Sequence, residues 1–233
     1  MKRNLIILSC LLVFFAFTGS QAMAVQVWGE GAYTDTDVQV CIYANTESDA
    51  LRSFGVRLIY DSSELTYVSS TKNEADWYLT DGNGTQYNYQ EPEDVVVGGS
   101  DRAVVIIGGV LDPDKVPDEV SGSRVLLGTV WFTRTGSGPL ANALTLDLGK
   151  VSPYANFVRG PEETDVLDGL VSFLSVDVYE RGDADGSGEI TNVDMGTVRN
   201  MILDGGYVCY ADANADGDIT NVDMGEIRNI ILG

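Results

Sequence analysis

Residues 183–194 read DADGSGEITNVD and residues 212–223 read DANADGDITNVD, so one acidic pattern occurs twice, 29 residues apart (183 to 212). The closing TNVD and the Met-Gly that follows it are identical in the two copies. An Arg-Asn pair and an Ile-Leu pair recur further on at the same spacing. The C-terminal part of the chain is therefore an internal duplication of one short unit.

Each copy places oxygen-bearing side chains at the alternate positions from which a 12-residue loop coordinates calcium. Gly188 and Gly217 stand at position 6, where such a loop turns sharply, and position 7 offers its backbone carbonyl. The predicted ligands at positions 1, 3, 5, 7, 9 and 12 are Asp183, Asp185, Ser187, Glu189, Thr191 and Asp194 in the first loop and Asp212, Asn214, Asp216, Asp218, Thr220 and Asp223 in the second. The sequence thus predicts two bound calcium ions.

The two loops depart from the standard EF-hand pattern without losing their chemistry. Position 12 is Asp rather than Glu, and Ser187 stands where an acid or amide is usual. Each loop still brings three ligating carboxylates, which favours a bound dication over an empty solvated turn. The chain contains no His and the loops contain no Cys, which argues against a transition metal.

A helical pattern follows each loop. The apolar residues at spacings of three and four are Met195, Val198 and Ile202 in the first copy and Met224, Ile227 and Ile231 in the second. Ile190 and Ile219 give each loop an apolar anchor at position 8. No helix is predicted before the first loop, because residues 170–178 alternate like a strand. The repeated unit is a loop with one helix, without the entering helix of an EF-hand.

This unit closely resembles the type I dockerin family over roughly residues 181–233. The resemblance implies calcium-dependent docking onto cohesin domains, which assembles polysaccharide-degrading complexes. It also implies partner recognition at loop positions 10 and 11 and helix positions 17 and 18. Those residues are Asn192, Val193, Arg199, Asn200, Asn221, Val222, Arg228 and Asn229. The best-known dockerins carry Ser-Thr at positions 10 and 11, where this chain has Asn-Val in both loops. The alternative to partner recognition is that Val193 and Val222 pack between the helices.

Residues 1–24 predict a secretory signal peptide. Lys2-Arg3 precede an apolar run from Leu5 to Phe17, and small residues end at Ala24. The run is too short for a membrane span, so an extracellular protein is expected, either free or at a cell surface. Removal of the two basic residues changes the formal charge from −21 to −23. That excess of acid argues against nucleic acid or anionic lipid as a partner.

Residues 25–179 read as short strands separated by turns. Val38, Val40 and Ile42 alternate with polar residues, and so do the apolar residues of 54–60. Further strand patterns lie at residues 104–107, 125–127, 130–132 and 144–146. Many short strands with Gly, Asp, Ser and Pro between them predict an antiparallel sandwich or jelly roll. The predicted fold is therefore mainly β, with a small α-helical module after it.

This β domain resembles the cohesin family, though less closely than the tail resembles a dockerin. The similarity lies in residues 38–42, 54–68, 127–132 and 143–146. Some carbohydrate-binding modules share the jelly-roll architecture, so this domain could bind a dockerin-bearing protein or a polysaccharide. Trp77, Tyr78, Tyr87 and Tyr89 could stack on sugar rings, and the alternative is that they pack beneath a long loop.

Two features of the sequence concern how the two modules meet. Cys41 and Cys209 remain after cleavage, and secretion permits a disulfide, although two buried free thiols suit their different predicted domains equally well. Only residues 180–182 separate the last predicted strand from the first calcium ligand, a reach of about 10 Å. We expect this connection to be too short for the C-terminal module to fold back onto a side face of its own sandwich.

No catalytic motif stands out. The 35 acidic residues place carboxylate pairs near one another by chance, and the chain lacks His, a nucleophile elbow and a phosphate loop. The sequence therefore predicts a secreted, non-catalytic adaptor that joins partners by calcium-dependent cohesin–dockerin contacts. The alternatives are a carbohydrate-binding protein docked through its tail and an accessory component with glycoside hydrolase activity.

Overall fold

A computed structural model describes residues 25–77, 92–109, 119–136, 140, 143–150, 155–159 and 165–233. The predicted signal peptide at 1–24 and Tyr78, Tyr87 and Tyr89 lie outside these residues. The strands are β1 (Val25–Tyr33), β2 (Asp37–Asn45), β3 (Ser53–Asp61), β4 (Leu65–Lys72), β5 (Glu93–Gly98), β6 (Asp101–Gly109), β7 (Val125–Arg134), β8 (Leu144–Leu148), β9 (Val158–Arg159), β10 (Asp165–Val166) and β11 (Val171–Glu180). The helices are α1 (Asn192–Asp204) and α2 (Asn221–Leu232).

The strands form a sandwich of two sheets. The first sheet has the order β11-β1-β2-β7-β4, and the second has the order β10-β9-β3-β6-β5 with β8 also paired to β3. All described pairs are antiparallel except β1 with β11, which run parallel from Val25↔Val171 to Tyr33↔Glu180. The sequence predicted an antiparallel sandwich, and this parallel edge is the departure, because strand patterns do not reveal which distant strands become neighbours.

Alternation along β2 separates the core of the sandwich from its outer surface. Val38, Val40 and Ile42 are fully or almost fully buried and point into the core between the sheets. The predicted apolar residues of β3 face them from the other sheet, as expected for two inner faces in contact. The side chains of Gln39 and Cys41 occupy the opposite face of β2. That outer face becomes important below, because the C-terminal module covers part of it.

Trp77 belongs to the core. Its side chain is fully buried, its ring meets the ring of Phe54 edge-on with centroids 4.7 Å apart, and its Nε1 donates to the Leu126 carbonyl at 3.0 Å. A ring enclosed in this way cannot stack on a sugar. For Trp77, packing in the core is shown and sugar stacking is excluded.

The two C-terminal helices pack through a small core of their own. Ala184, Val198, Ala211 and Ile227 are buried at its centre, and the predicted anchors Ile190 and Ile219 pack around them. The predicted apolar stripe of α2 ends early, since Ile231 is exposed. As expected, a strand rather than a helix leads into the first loop.

The expectation that this module could not contact its own sandwich is wrong. Gly182 N donates to Tyr210 O at 2.8 Å, and the rings of Tyr179 and Tyr210 meet edge-on at 4.9 Å. The Sγ atoms of Cys41 and Cys209 lie 3.0 Å apart. The reach argument failed because β11 is itself the edge of the first sheet. The segment between the helices returns over the outer face of that sheet, so the chain never crosses the width of the sandwich.

Candidate metal centres and docking surface

The first loop gathers three carboxylates. Oxygen atoms of Asp183, Asp185 and Asp194 all lie within 4.8 Å of one another. Asp183 and Asp194 have no solvent-exposed surface, whereas Asp185 is exposed. Positions 1, 3 and 12 of the predicted loop are thus brought together, with two acids beneath and one at the rim.

Backbone amides hold these carboxylates in place. Asp183 accepts hydrogen bonds from Ser187 N at 2.9 Å and Gly188 N at 2.8 Å, one on each oxygen. Asp194 accepts from Asp185 N at 3.1 Å. Gly188 has a φ of +87°, which turns the chain so that these amides face inward. The loop is folded around the point where its acids meet.

The second loop repeats this arrangement. Asp212 accepts from Asp216 N at 3.1 Å and Gly217 N at 2.8 Å, and Asp223 accepts from Asn214 N at 3.2 Å. Corresponding distances in the two loops differ by at most 0.2 Å. Asp212 and Asp223 are again fully buried. The duplication therefore extends from sequence to geometry.

The acids at position 1 suit a cation. Burial raises the pKa of Asp183 and of Asp212 despite the amide hydrogen bonds that each receives. A carboxyl group whose pKa rises on folding weakens the fold at neutral pH, because the folded chain must hold a charge that water would solvate better. A dication between the carboxylates would offset that cost, and the all-oxygen ligand set matches calcium.

The remaining predicted ligands take different positions. Glu189 and Asp218 are exposed, as expected if only their carbonyls face the loop, and the Glu189 carbonyl accepts from Ser187 Oγ at 3.2 Å. The hydroxyls of Thr191 and Thr220 cap α1 and α2 by accepting from the amide two residues on, at 3.1 Å each. Each also donates to the Asp at position 12 at 3.3 Å. Position 9 therefore joins its loop to the following helix.

The predicted partner-binding residues form an exposed surface. All eight are exposed: Asn192, Val193, Arg199, Asn200, Asn221, Val222, Arg228 and Asn229. Val193 is 60% exposed and Val222 is 54% exposed, which rules out packing between the helices. Each repeat thus leaves a corresponding set of apolar and polar side chains open to solvent.

Sequence reasoning missed the residues that hold the module on the sandwich. Arg181 donates through Nη1 to the Asp212 carbonyl at 2.9 Å and through Nη2 to Gln39 Oε1 at 3.2 Å. The Tyr207 hydroxyl donates to Asp212 Oδ2 at 3.2 Å. The run Tyr-Val-Cys-Tyr at 207–210 was the available signal, because a solvated connection between helices is seldom so apolar.

Among the described residues, neither helix combines the length and apolar character needed to cross a membrane.

No protein-family model and no curated protein matches the sequence. The similar solved structures include cohesin modules. One is the solution structure of CaCohA2 from Clostridium acetobutylicum, at 17% identity and a TM-score of 0.40, covering 70% of this chain and 95% of that one. Another is the third cohesin of ScaC from Acetivibrio cellulolyticus, solved with the ScaB dockerin, at 14% identity and a TM-score of 0.41, covering 66% and 96%.

Proposed function

We propose that this chain is a secreted, non-catalytic adaptor. Its C-terminal module binds two calcium ions and docks onto a cohesin-type module of another protein, within a polysaccharide-degrading or cell-surface assembly outside the cell. The observation that carries the proposal is the pair of loops whose buried acids at positions 1 and 12 accept the same backbone amides, each loop followed by a helix with the same exposed residues.

Calcium would be held in each loop by the carboxylates at positions 1, 3 or 5, and 12, and by the carbonyl at position 7. The bound ion supplies positive charge that neutralises buried acids and fixes the loop on its helix. The chain's own residues then set the geometry of the docking surface. Asp194 and Asp223 accept from the amides of Thr191 and Thr220 at 2.6 and 2.7 Å, so ligation and helix capping share one side chain.

The repeat supports two equivalent ways of docking. Asn192-Val193 and Asn221-Val222 each stand at the start of a helix, and Arg199-Asn200 and Arg228-Asn229 lie two turns further on. A partner that binds one set would bind the other set when the module is rotated so that the second repeat takes the place of the first. The partner would therefore lose little affinity when one set alone is altered.

The sandwich would supply the second attachment of the adaptor. The similarity of residues 54–68 to the cohesin pattern supports a dockerin-bearing protein as its partner. Burial of Trp77 removes one of the aromatic residues on which the polysaccharide alternative relied. A protein partner is therefore preferred over a sugar for this domain.

The test is a binding assay against a panel of immobilised cohesin modules and polysaccharides, with calcium and with chelator. We expect calcium-dependent capture by at least one cohesin module. Replacing Asn192 and Val193 with Ala, or Asn221 and Val222 with Ala, should leave most of the affinity, and all four replacements together should abolish it. Capture that persists in chelator, capture by polysaccharide alone, or release of reducing sugar would each contradict the proposal.

A further inference from the structure

Two cysteines that are distant in the sequence meet where the helical module covers the sandwich. Cys41 lies on the outer face of β2, and Cys209 begins the short 3-10 turn Cys209–Ala211 between α1 and α2. They are 168 residues apart in the chain, yet their Sγ atoms are 3.0 Å apart. No local constraint of the backbone imposes this contact, because Cys41 is on a strand of the sandwich and Cys209 is in the segment between the two helices.

The surroundings of the pair exclude the other common uses of cysteine. Cys41 is 3% exposed and Cys209 is not exposed at all, so neither serves as a reactive surface thiol while the module covers the sandwich. Ala32 and Tyr43 are buried beside them. Among the described residues, the one group of acids and thiols placed to share a metal is in the first loop and contains neither cysteine.

We propose that Cys41 and Cys209 form an intramolecular disulfide that locks the helical module onto the sandwich. A disulfide-bearing oxidant of the glutathione type supplies the chemistry. Because both thiols are buried in the assembled molecule, the first step takes place before the helical module closes on the sandwich: one cysteine thiolate attacks a sulfur of the oxidant, which releases one thiol and leaves a mixed disulfide. The second cysteine thiolate attacks the protein sulfur of that mixed disulfide and releases the second thiol. The protein loses two electrons and two protons, and the oxidant is reduced to two thiols.

The position of the bond determines what it fixes. Cys209 lies three residues before Asp212, the first acid of the second loop, and next to Tyr210, which contacts Tyr179 and Gly182. A bond here secures the segment between the helices and leaves the exposed faces of α1 and α2 free. The disulfide then holds the module through the segment between its helices. The module cannot separate from the sandwich by a movement at residues 180–182.

The experiment compares the full chain in oxidised and reduced form. The purified protein is refolded with calcium in a mixture of reduced and oxidised glutathione, alkylated in denaturant and digested without reductant, and its peptides are identified by mass spectrometry. We expect the peptides of Cys41 and Cys209 to be joined within one chain. We also expect reductant to lower the Tm by at least about 5 °C, because the disulfide closes a long loop in the unfolded chain.

Cys41→Ala and Cys209→Ala should each abolish the effect of reductant on Tm, whatever their own stability. Thr129→Val is the matched control, because it removes the hydroxyl 3.9 Å from Cys41 Sγ and keeps both thiols, so its Tm should still respond to reductant. Recovery of both cysteines in alkylated form, or joined only to glutathione or to another chain, would overturn the proposal. A joined pair whose reduction leaves Tm unchanged would overturn its role as a lock.

Discussion

The two loop–helix repeats share the amide hydrogen bonds to their buried acids, but they differ at two loop positions and in their contact with the sandwich. At position 4 the first loop has Gly186 with a φ of +67°, and the second has Ala215 with a φ of +60°. At position 3 the first has Asp185 and the second Asn214. The second loop is also tied sideways to the sandwich, since Arg181 donates to the Asp212 carbonyl.

The agreement of the two geometries despite these differences shows that each loop is built by its own residues. The acids at positions 1 and 12 accept amides from within the same twelve residues, so the loop keeps its shape beside a strand or beside a sheet face. The differences then identify what each repeat adds: attachment to the sandwich for the second, and an unstrained turn for the first.

The largest effect should come from removing the buried acids of one repeat. Asp183→Ala with Asp194→Ala should abolish calcium binding in the first loop, because two of its three carboxylates are lost. Asp212→Ala with Asp223→Ala should do the same in the second loop. Calorimetric titration should find one ion in place of two for each variant. Two ions in either variant would show that these acids are not the ligands.

Arg181→Ala should test the sideways attachment of the second loop. The change removes the charged hydrogen bonds to the Asp212 carbonyl and to Gln39, and we expect the free energy of unfolding to fall by about 1.5–3 kcal/mol. Urea unfolding with calcium present measures this loss. Arg199→Ala is the control, because Arg199 is exposed on α1 and its loss should change stability by less than about 0.5 kcal/mol. Equal losses of unfolding free energy in the two variants would show that Arg181 does not stabilise the second loop through these contacts.

Exchanging the residues at position 4 should change stability in opposite directions. Ala215→Gly should stabilise the chain by up to about 1 kcal/mol. Alanine in the left-handed region costs about 1–2 kcal/mol, and glycine avoids this cost. Part of the gain is lost because glycine gives the unfolded chain more conformational entropy. Gly186→Ala should destabilise by a similar amount, and its new Cβ would also lie 3.2 Å from the Tyr179 ring. Thermal unfolding of both variants checks the signs, and a shift in the same direction for both would contradict them.

The smallest effect should come from position 7. Glu189→Ala and Asp218→Ala remove exposed side chains and keep the carbonyls, so we expect changes in unfolding free energy within about 0.5 kcal/mol and nearly unchanged calcium stoichiometry. The same calorimetric titration provides the measurement. Loss of an ion in either variant would mean that the side chain, and not the backbone, is the ligand.

Much of this arrangement could be read from the sequence, because its determinants are local. Ligand spacing placed Asp183, Asp185 and Asp194 in one cluster, and alternation placed Val38, Val40 and Ile42 in the core. These patterns depend on the period of one loop or one strand. The structure describes both as the sequence predicted.

The contact between the modules could not be read in the same way. Arg181 reaches Gln39 across 142 residues and Cys41 reaches Cys209 across 168, and no local period records such distances. The reach estimate considered only the length of residues 180–182. It could not include the return of residues 207–210 over the sheet, because the parallel pairing of β1 with β11 that sets their course is itself a long-range choice.

A calcium titration of the full chain, followed by far-ultraviolet circular dichroism, tests the central claim most directly. Helices as short as α1 and α2 are marginal alone, and the buried acids repel one another without a cation. We predict that helical signal rises as two ions bind and falls again in excess chelator. Helical signal that is the same in calcium and in chelator, or a titration with no bound ion, would contradict the assignment of these loops as calcium sites.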